Sequence, residues 1–160
     1  MSGFPKNRYP VSMLLTQTAE YALRAMATLA SLAPGEAMRA VDLAEKTGIP
    51  VHYLSKVMRR LVLQRLVTSR KGHGGGFTLG RPPAKITFEE ILRVDPYFDS
   101  TTQYAFGWGN CNKRHPCPLH TTWSELKETF HEWASTTTLA AVRDGHTVKA
   151  GSKARGRKRE

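Results

Sequence analysis

Apolar residues recur at helical spacing toward both ends of this chain and alternate briefly in its middle, and that contrast lays out the expected elements. Over residues 13–33, Ala19, Ala22, Leu23, Met26, Leu29 and Ala30 fall close to one face, the signature of an amphipathic helix. Thr16 is placed to cap it and Pro34-Gly35 to stop it. Residues 41–47 predict a short second helix, with Leu43 and Ala44 apolar and Gly48 as its C-terminal cap. Ile49-Pro50 turns the chain into a third helix over 51–64, whose inward stripe is Leu54, Val57, Met58 and Leu61. His52, Tyr53, Ser55, Lys56, Arg59 and Arg60 are left to face outward or flank that stripe.

The period then shortens. Residues 66–70 and 77–79 read as two strands joined by Lys71-Gly72-His73-Gly74-Gly75-Gly76. Val67, Phe77 and Leu79 can share one side of the ribbon, and the glycines permit the positive φ angles of its loop. Thr87-Phe88-Glu89-Glu90 has capping-box spacing and opens a helix to about residue 94. Gly107, Gly109, Pro116 and Pro118 keep residues 96–119 irregular. One long helix is expected from residue 121 or 122 to 143, striped by Trp123, Leu126, Phe130, Trp133 and Thr137. The fold class is mainly α with a small β-wing: a winged helix-turn-helix followed by a long C-terminal helix.

Composition narrows the setting. A chain of 160 residues with 40% hydrophobic content supports one modest core plus appendages. No apolar run approaches the ~18 residues of a membrane span, and MSGFPKNRYPVS lacks a secretory apolar stretch, so the cytoplasm is the expected location. The net charge of +11 points to a polyanionic partner. Residues 146–160 concentrate Lys149, Lys153, Arg155, Arg157, Lys158 and Arg159 against Glu160 alone. Two readings of that basic tail stay open: a solvated disordered segment, or a non-specific nucleic-acid contact.

The third helix and the wing supply the chemistry. A helix in the major groove must offer donors to base edges and phosphates. His52, Tyr53 and Ser55 suit bases or nearby phosphates, and Lys56, Arg59 and Arg60 suit the backbone. Alone, such residues are equally the wet face of an amphipathic helix. Beside them stand Arg70, Lys71, Gly74 and Gly75, on a glycine tip shaped for the minor groove. A nucleotide cradle would open a helix and carry Gly-Lys-Ser/Thr, which is missing here. Double-stranded operator DNA is therefore the expected partner. Catalysis is not expected: adjacent Glu89 and Glu90 diverge by about 100° on a helix, and Cys117 with His120 lacks a third orienting group.

Three stretches, MLLTQTAEYALRAMATLA, DLAEKTGIPVHYLSKVMRRLVLQRLVTSRKGHGGGFTLGRPPAKITFEEIL and CNKRHPCPLHTTW, resemble the Rrf2 family of bacterial winged-helix repressors. Family chains begin near the equivalent of Met13, so the resemblance implies that residues 1–12 are either an N-terminal extension or a mis-assigned start. The resemblance implies a winged helix-turn-helix over 13–95, a cysteine-containing sensor loop over 96–120, a dimerisation helix over 121–145 and the tail over 146–160. It implies homodimers with two wings on a roughly palindromic operator, in keeping with the aromatic stripe. In sensing members, three cysteines at C-x5-C-x5-C spacing hold an iron–sulfur cluster. Here Cys111 and Cys117 keep that spacing, His120 follows three residues later, and Glu20 matches an acidic ligand position on the first helix. Ala105 stands where the first cysteine would be. The implied cofactor is a two-iron two-sulfur cluster on Cys111, Cys117, His120 and Glu20. Zinc, thiol redox chemistry and metal-free packing of the loop remain alternatives. His115 is not a family ligand position, and His73 is assigned to DNA or solvent.

Overall fold

The computed structural model describes residues 15–98 and 114–145. Its organising surface is the apolar face of α1 (Gln17–Ala30), which carries buried Ala22, Ala25, Met26 and Leu29. Thr16 caps this helix by accepting the Ala19 N–H at 3.2 Å. The small side chains of Ala22 and Ala25 let α2 (Ala40–Thr47) and α3 (Val51–Leu63) come close. Gly48 ends α2 with a left-handed φ of 69°, and Pro50 starts α3. Met26, Leu43, Ile49, Leu54, Met58, Leu61 and Leu66 are fully buried together. Each side chain so buried contributes about 1.5–3 kcal/mol of transfer free energy.

The exit from α3 fixes where the hairpin starts. Leu66 N–H donates to the Leu61 carbonyl at 3.0 Å and Arg65 N–H to the Val62 carbonyl at 2.9 Å, the paired bonds of a Schellman ending. Arg65 holds the left-handed position at φ 59°. β1 (Val67–Arg70) and β2 (Gly76–Leu79) pair antiparallel, with Val67 opposite Leu79 and Ser69 opposite Phe77. Val67, Phe77 and Leu79 pack on the core, while the Thr68 and Thr78 hydroxyls bond each other at 2.7 Å. On its other edge β2 meets Met38: Phe77 N–H donates to the Met38 carbonyl at 2.8 Å, and Met38 N–H returns the bond at 3.0 Å. A Cβ on Gly76 would lie 2.6 Å from the Met38 carbonyl oxygen, so glycine is required there.

A 3-10 turn (Pro83–Lys85) leads to α4 (Phe88–Leu92), which has the expected capping box. Thr87 accepts Glu90 N–H, and the Glu90 carboxylate accepts Thr87 N–H at 3.0 Å. The expected single helix over 121–143 is instead two: α5 (His120–Thr136) and α6 (Leu139–Gly145). The break falls on Thr136-Thr137-Thr138, three β-branched residues with restricted χ1 and low helix propensity. Their backbone is used elsewhere: Phe88 N–H donates to the Thr137 carbonyl at 2.9 Å, and Leu139 N–H to the Ile86 carbonyl at 2.8 Å. Leu139 is fully buried in the main core, and α6 lies against α1 and the 3-10 turn. Thr137 is thus the end of α5 and not part of a continuous stripe. Among the described residues no helix is long and apolar enough to cross a membrane.

Candidate nucleic-acid interface

Successive residues of a helix point about 100° apart, so burying Leu54, Val57, Met58 and Leu61 fixes every other direction on α3. Its crest carries His52, Lys56, Arg59 and Leu63. Ser55 and Val62 flank the crest on the hairpin side, and Tyr53 and Arg60 on the side of α1 and α4. The predicted residues on this helix are all exposed, and the sequence of α3 contains no acidic side chain.

The two flanks are put to different uses. Arg60 donates from Nη1 to the Val94 carbonyl at 3.2 Å, tying α3 to the end of α4. Arg60 remains exposed, and a guanidinium has donors beyond the one used on Val94. Ser55 donates its hydroxyl proton to the Val51 carbonyl at 2.8 Å, leaving it an acceptor toward a ligand. Tyr53 stacks with His52 at 4.2 Å between ring centroids and has the Lys56 ammonium 6.0 Å from its ring. The edge of Tyr53 meets Tyr21 of α1 at 6.2 Å and 62°. The Tyr21 hydroxyl accepts from Gln17 Nε2 at 3.0 Å, and the Arg24 guanidinium lies 5.7 Å from its ring. Arg24 also donates to the Thr47 carbonyl at 3.3 Å. α3 is therefore braced by α1 through aromatic and cationic contacts that the periodicity of α1 did not reveal.

The wing presents Arg70 at the end of β1 and then exposed Lys71, Gly72, His73 and Gly74. Gly72 and Gly74 hold φ of 93° and 73°, open to glycine at little cost. Gly75 is different. Its N–H donates to the Gly72 carbonyl at 3.0 Å, and a Cβ there would stand 2.4 Å from the Arg70 carbonyl oxygen. The turn itself requires glycine at that position. Near the start of α2, Arg39 clamps Asp42 with bonds of 2.8 and 3.0 Å, and these hydrogen bonds hold the Asp42 carboxyl below its ordinary range. This carboxylate in the first turn of α2 is thus already paired.

The implied ligand set is placed in parts. His120 opens α5, and its N–H donates to the Cys117 carbonyl at 3.0 Å. Cys117 is half-buried on that turn. Glu20 lies exposed on α1 in an ion pair with Arg24, and Cys111 and Ala105 fall outside the described residues. Among the described residues, no three metal-ligating side chains converge within one chain. The paired carboxylates are occupied as well: Glu89 bonds Arg93 at 2.8 Å, and Glu90 serves the cap and Arg81.

Comparison with known proteins gives a consistent result. The Rrf2 family profile, described as an iron-dependent transcriptional regulator, matches residues 15–145. A candidate HTH-type transcriptional regulator of Mycobacterium tuberculosis is 35% identical over 135 residues, 83% of either chain. The HTH-type transcriptional regulator IscR of Escherichia coli is 30% identical over 137 residues, 85% of this chain and 83% of that one. In fold, the chain is similar to CymR (YrzC), the global cysteine regulator of B. subtilis. That likeness has a TM-score of 0.67 at 22% identity, over 82% of this chain and 96% of the other. T. potens IscR gives 0.64 at 23%, over 89% and 93%. These relatives are transcriptional regulators, not enzymes.

Proposed function

Because the chain belongs to the Rrf2 family of transcriptional regulators, we propose that it is an operator-specific repressor, acting in the cytoplasm as a homodimer. Residues 13–95 read the operator, 96–120 receive the signal and 121–145 make the dimer, with α6 returning to the core. Residues 1–12 and 146–160 are appendages. The observation that carries this reading is an exposed α3 crest with His52, Lys56 and Arg59 and an exposed wing tip with Arg70, Lys71 and Gly74, on elements whose Arg59 and Ser69 line one groove. A two-fold axis would repeat that surface on a palindromic site. Tyr53 and His52 suit base edges and Ser55 accepts. The cations suit phosphates, and Gly75 shapes the tip.

The dimer reading is supported by α5 and its approach. Leu119, Trp123, Leu126, Phe130 and Trp133 alternate steps of four and three residues, the seam of paired helices. Leu119, Leu126 and Trp133 are exposed large apolar groups, as a seam awaiting a partner would be.

For the signal, the donors fit an iron–sulfur cluster in kind: two cysteines and two histidines lie within residues 111–120, with His120 rather than His115 at the implied ligand position. A fourth donor from Glu20 requires its Arg24 pairing to open. A two-iron two-sulfur group held there would supply reactivity toward nitric oxide, oxygen or iron shortage. Cys117 and His120 sit at the mouth of α5, so any ligand drawing them together acts on the helix that sets the spacing of the two reading heads. Only a difference in affinity between two such spacings can switch DNA binding.

The test for DNA reading is duplex binding by anisotropy across a salt series, using fragments selected from a random pool. Arg59→Ala and Lys71→Ala should each weaken binding and flatten the salt slope by about one unit. Wild-type affinity and slope in both would overturn this docking. For the cluster, anaerobically purified protein should carry iron and sulfide. A colourless protein after reconstitution would leave a thiol-based or metal-free regulator of the same fold.

A further inference from the structure

Between α3, the first residue of α2 and the inner face of the hairpin lies an open groove of about 320 Å³, lined among others by Ser55, Arg59, Val62, Leu63, Ser69 and Phe77. Neither Ser69 nor Leu63 is given a DNA contact above, although Leu63 stands on the α3 crest. Leu63 is 73% exposed and follows His52, Lys56 and Arg59 on the crest at helical spacing, an apolar residue closing a polar row. A leucine in that position has no packing use in the free chain. Ser69 is the one hydroxyl of β1 that lines this groove; that of Thr68 is bonded to Thr78 on the opposite face.

We propose that one strand of a bound duplex runs through this groove, with its phosphate on Arg59 and Ser69 and its deoxyribose edge against Val62, Leu63 and Phe77. The inference rests on reading α3 and the wing as DNA-facing. If α3 occupies the major groove and the wing tip the neighbouring minor groove, the backbone separating those grooves must cross the space between them. The chemistry of the walls matches that strand. Arg59 is a cation at the rim, Ser69 offers a neutral donor on the facing wall, and the floor is apolar, as C–H edges of sugars require. Continuity favours this occupant over a small molecule: both walls belong to elements that carry the proposed DNA contacts.

The inference has a signature that cations lack. Apolar and neutral contacts release no counterions, so losing them lowers affinity without changing the salt slope. Leu63→Ser should weaken operator binding about tenfold and Ser69→Ala about fivefold, both with the wild-type slope. Leu63→Glu should weaken it about a hundredfold by setting a charge against the phosphate. Because Leu63 is exposed, the variants should keep the wild-type circular dichroism and melting temperature. If Leu63→Ser and Ser69→Ala bind like wild type while Arg59→Ala and Lys71→Ala lose affinity, the strand does not use this groove and the DNA reading stands without it. If the unaltered protein selects no duplex sequence, the DNA reading itself falls, and this inference with it. Anilinonaphthalene sulfonate provides the last arm. Stoichiometric binding that Leu63→Glu abolishes, with unchanged DNA affinity, would make the groove an effector seat for apolar anions and overturn the strand assignment.

Discussion

The two ends of this chain solve the burial problem differently. The segment from α1 to α4 builds the main core, which Leu139 of α6 completes: Leu43, Leu54, Met58, Leu61 and Leu139 are fully buried, and its outward positions are mostly polar or cationic. α5 buries only Ala134, which packs with Ala19 and Leu92 while Phe130 covers them. Leu119, Leu126 and Trp133 stay exposed at seven-residue intervals. The front buries its apolar stripes within the chain, whereas α5 leaves much of its own apolar stripe exposed, and helices draw most of their stability from the packing of such a face.

The largest effect that sharpens this contrast lies in the front. Leu61→Ala removes a fully buried side chain from the heart of the core and should cost about 2–5 kcal/mol. Thermal unfolding followed by circular dichroism should show a fall in Tm of roughly 10 °C or more. A loss under 1 kcal/mol would mean that the core is not the self-sufficient unit its burial indicates. Leu126→Asp probes the back. It should leave the front folded but weaken self-association about a hundredfold, by placing a charge in an apolar seam. Sedimentation velocity reads this directly, and an unchanged dimer would move the two-fold interface off α5.

Most of the front was legible in the sequence because each element announces itself locally. The α3 stripe, the Gly48 cap, the strand alternation and the Thr87 box all depend on neighbours within four residues, and all are found. What was missed depends on distant partners. No local pattern says that Met38 pairs with Phe77 or that the Thr137 carbonyl serves Phe88. The second of these is what divides the expected long helix, although the run of three threonines gave a usable warning. Arg59 and Arg60 look equivalent as adjacent cations, and no local pattern says that Arg60 also bonds the Val94 carbonyl. The ligand set was legible least, since its donors come from separate elements, with Cys111 outside the described residues.

A smaller effect concerns the brace between α1 and the reading helix. Tyr21→Ala removes the edge contact to Tyr53 and should reduce operator affinity about threefold to tenfold, in keeping with the ~0.5–1.5 kcal/mol of an aromatic pair. Tyr21→Phe keeps the ring and loses only the Gln17 bond, so it should recover most of that affinity. The salt slope should stay unchanged in both. If Tyr21→Ala melts like wild type and binds like wild type, α1 supports the core alone and has no part in positioning Tyr53.

The smallest expected effect joins front to back at Glu90. Burial on its own would raise the Glu90 carboxyl, but the Thr87 backbone N–H and the Arg81 guanidinium outweigh it and hold the group below its ordinary value. A carboxylate whose folded value is depressed contributes stability that is present above its unfolded pKa and is lost as pH falls through the folded one. Glu90→Gln should therefore be less stable than wild type at neutral pH, and the gap should narrow as pH falls through the depressed folded value. The side chain is 38% exposed, so solvent screening keeps the pairing with Arg81 well under about 1 kcal/mol. Thr87→Ala, which removes the hydroxyl cap, should cost about 1 kcal/mol, with a shallower acid dependence only as far as that hydroxyl orders the carboxylate. Parallel urea melts at pH 7 and pH 3.5 check both. If the wild-type and Glu90→Gln curves stay equally far apart at the two pH values, the α4 cap rests on shape rather than charge.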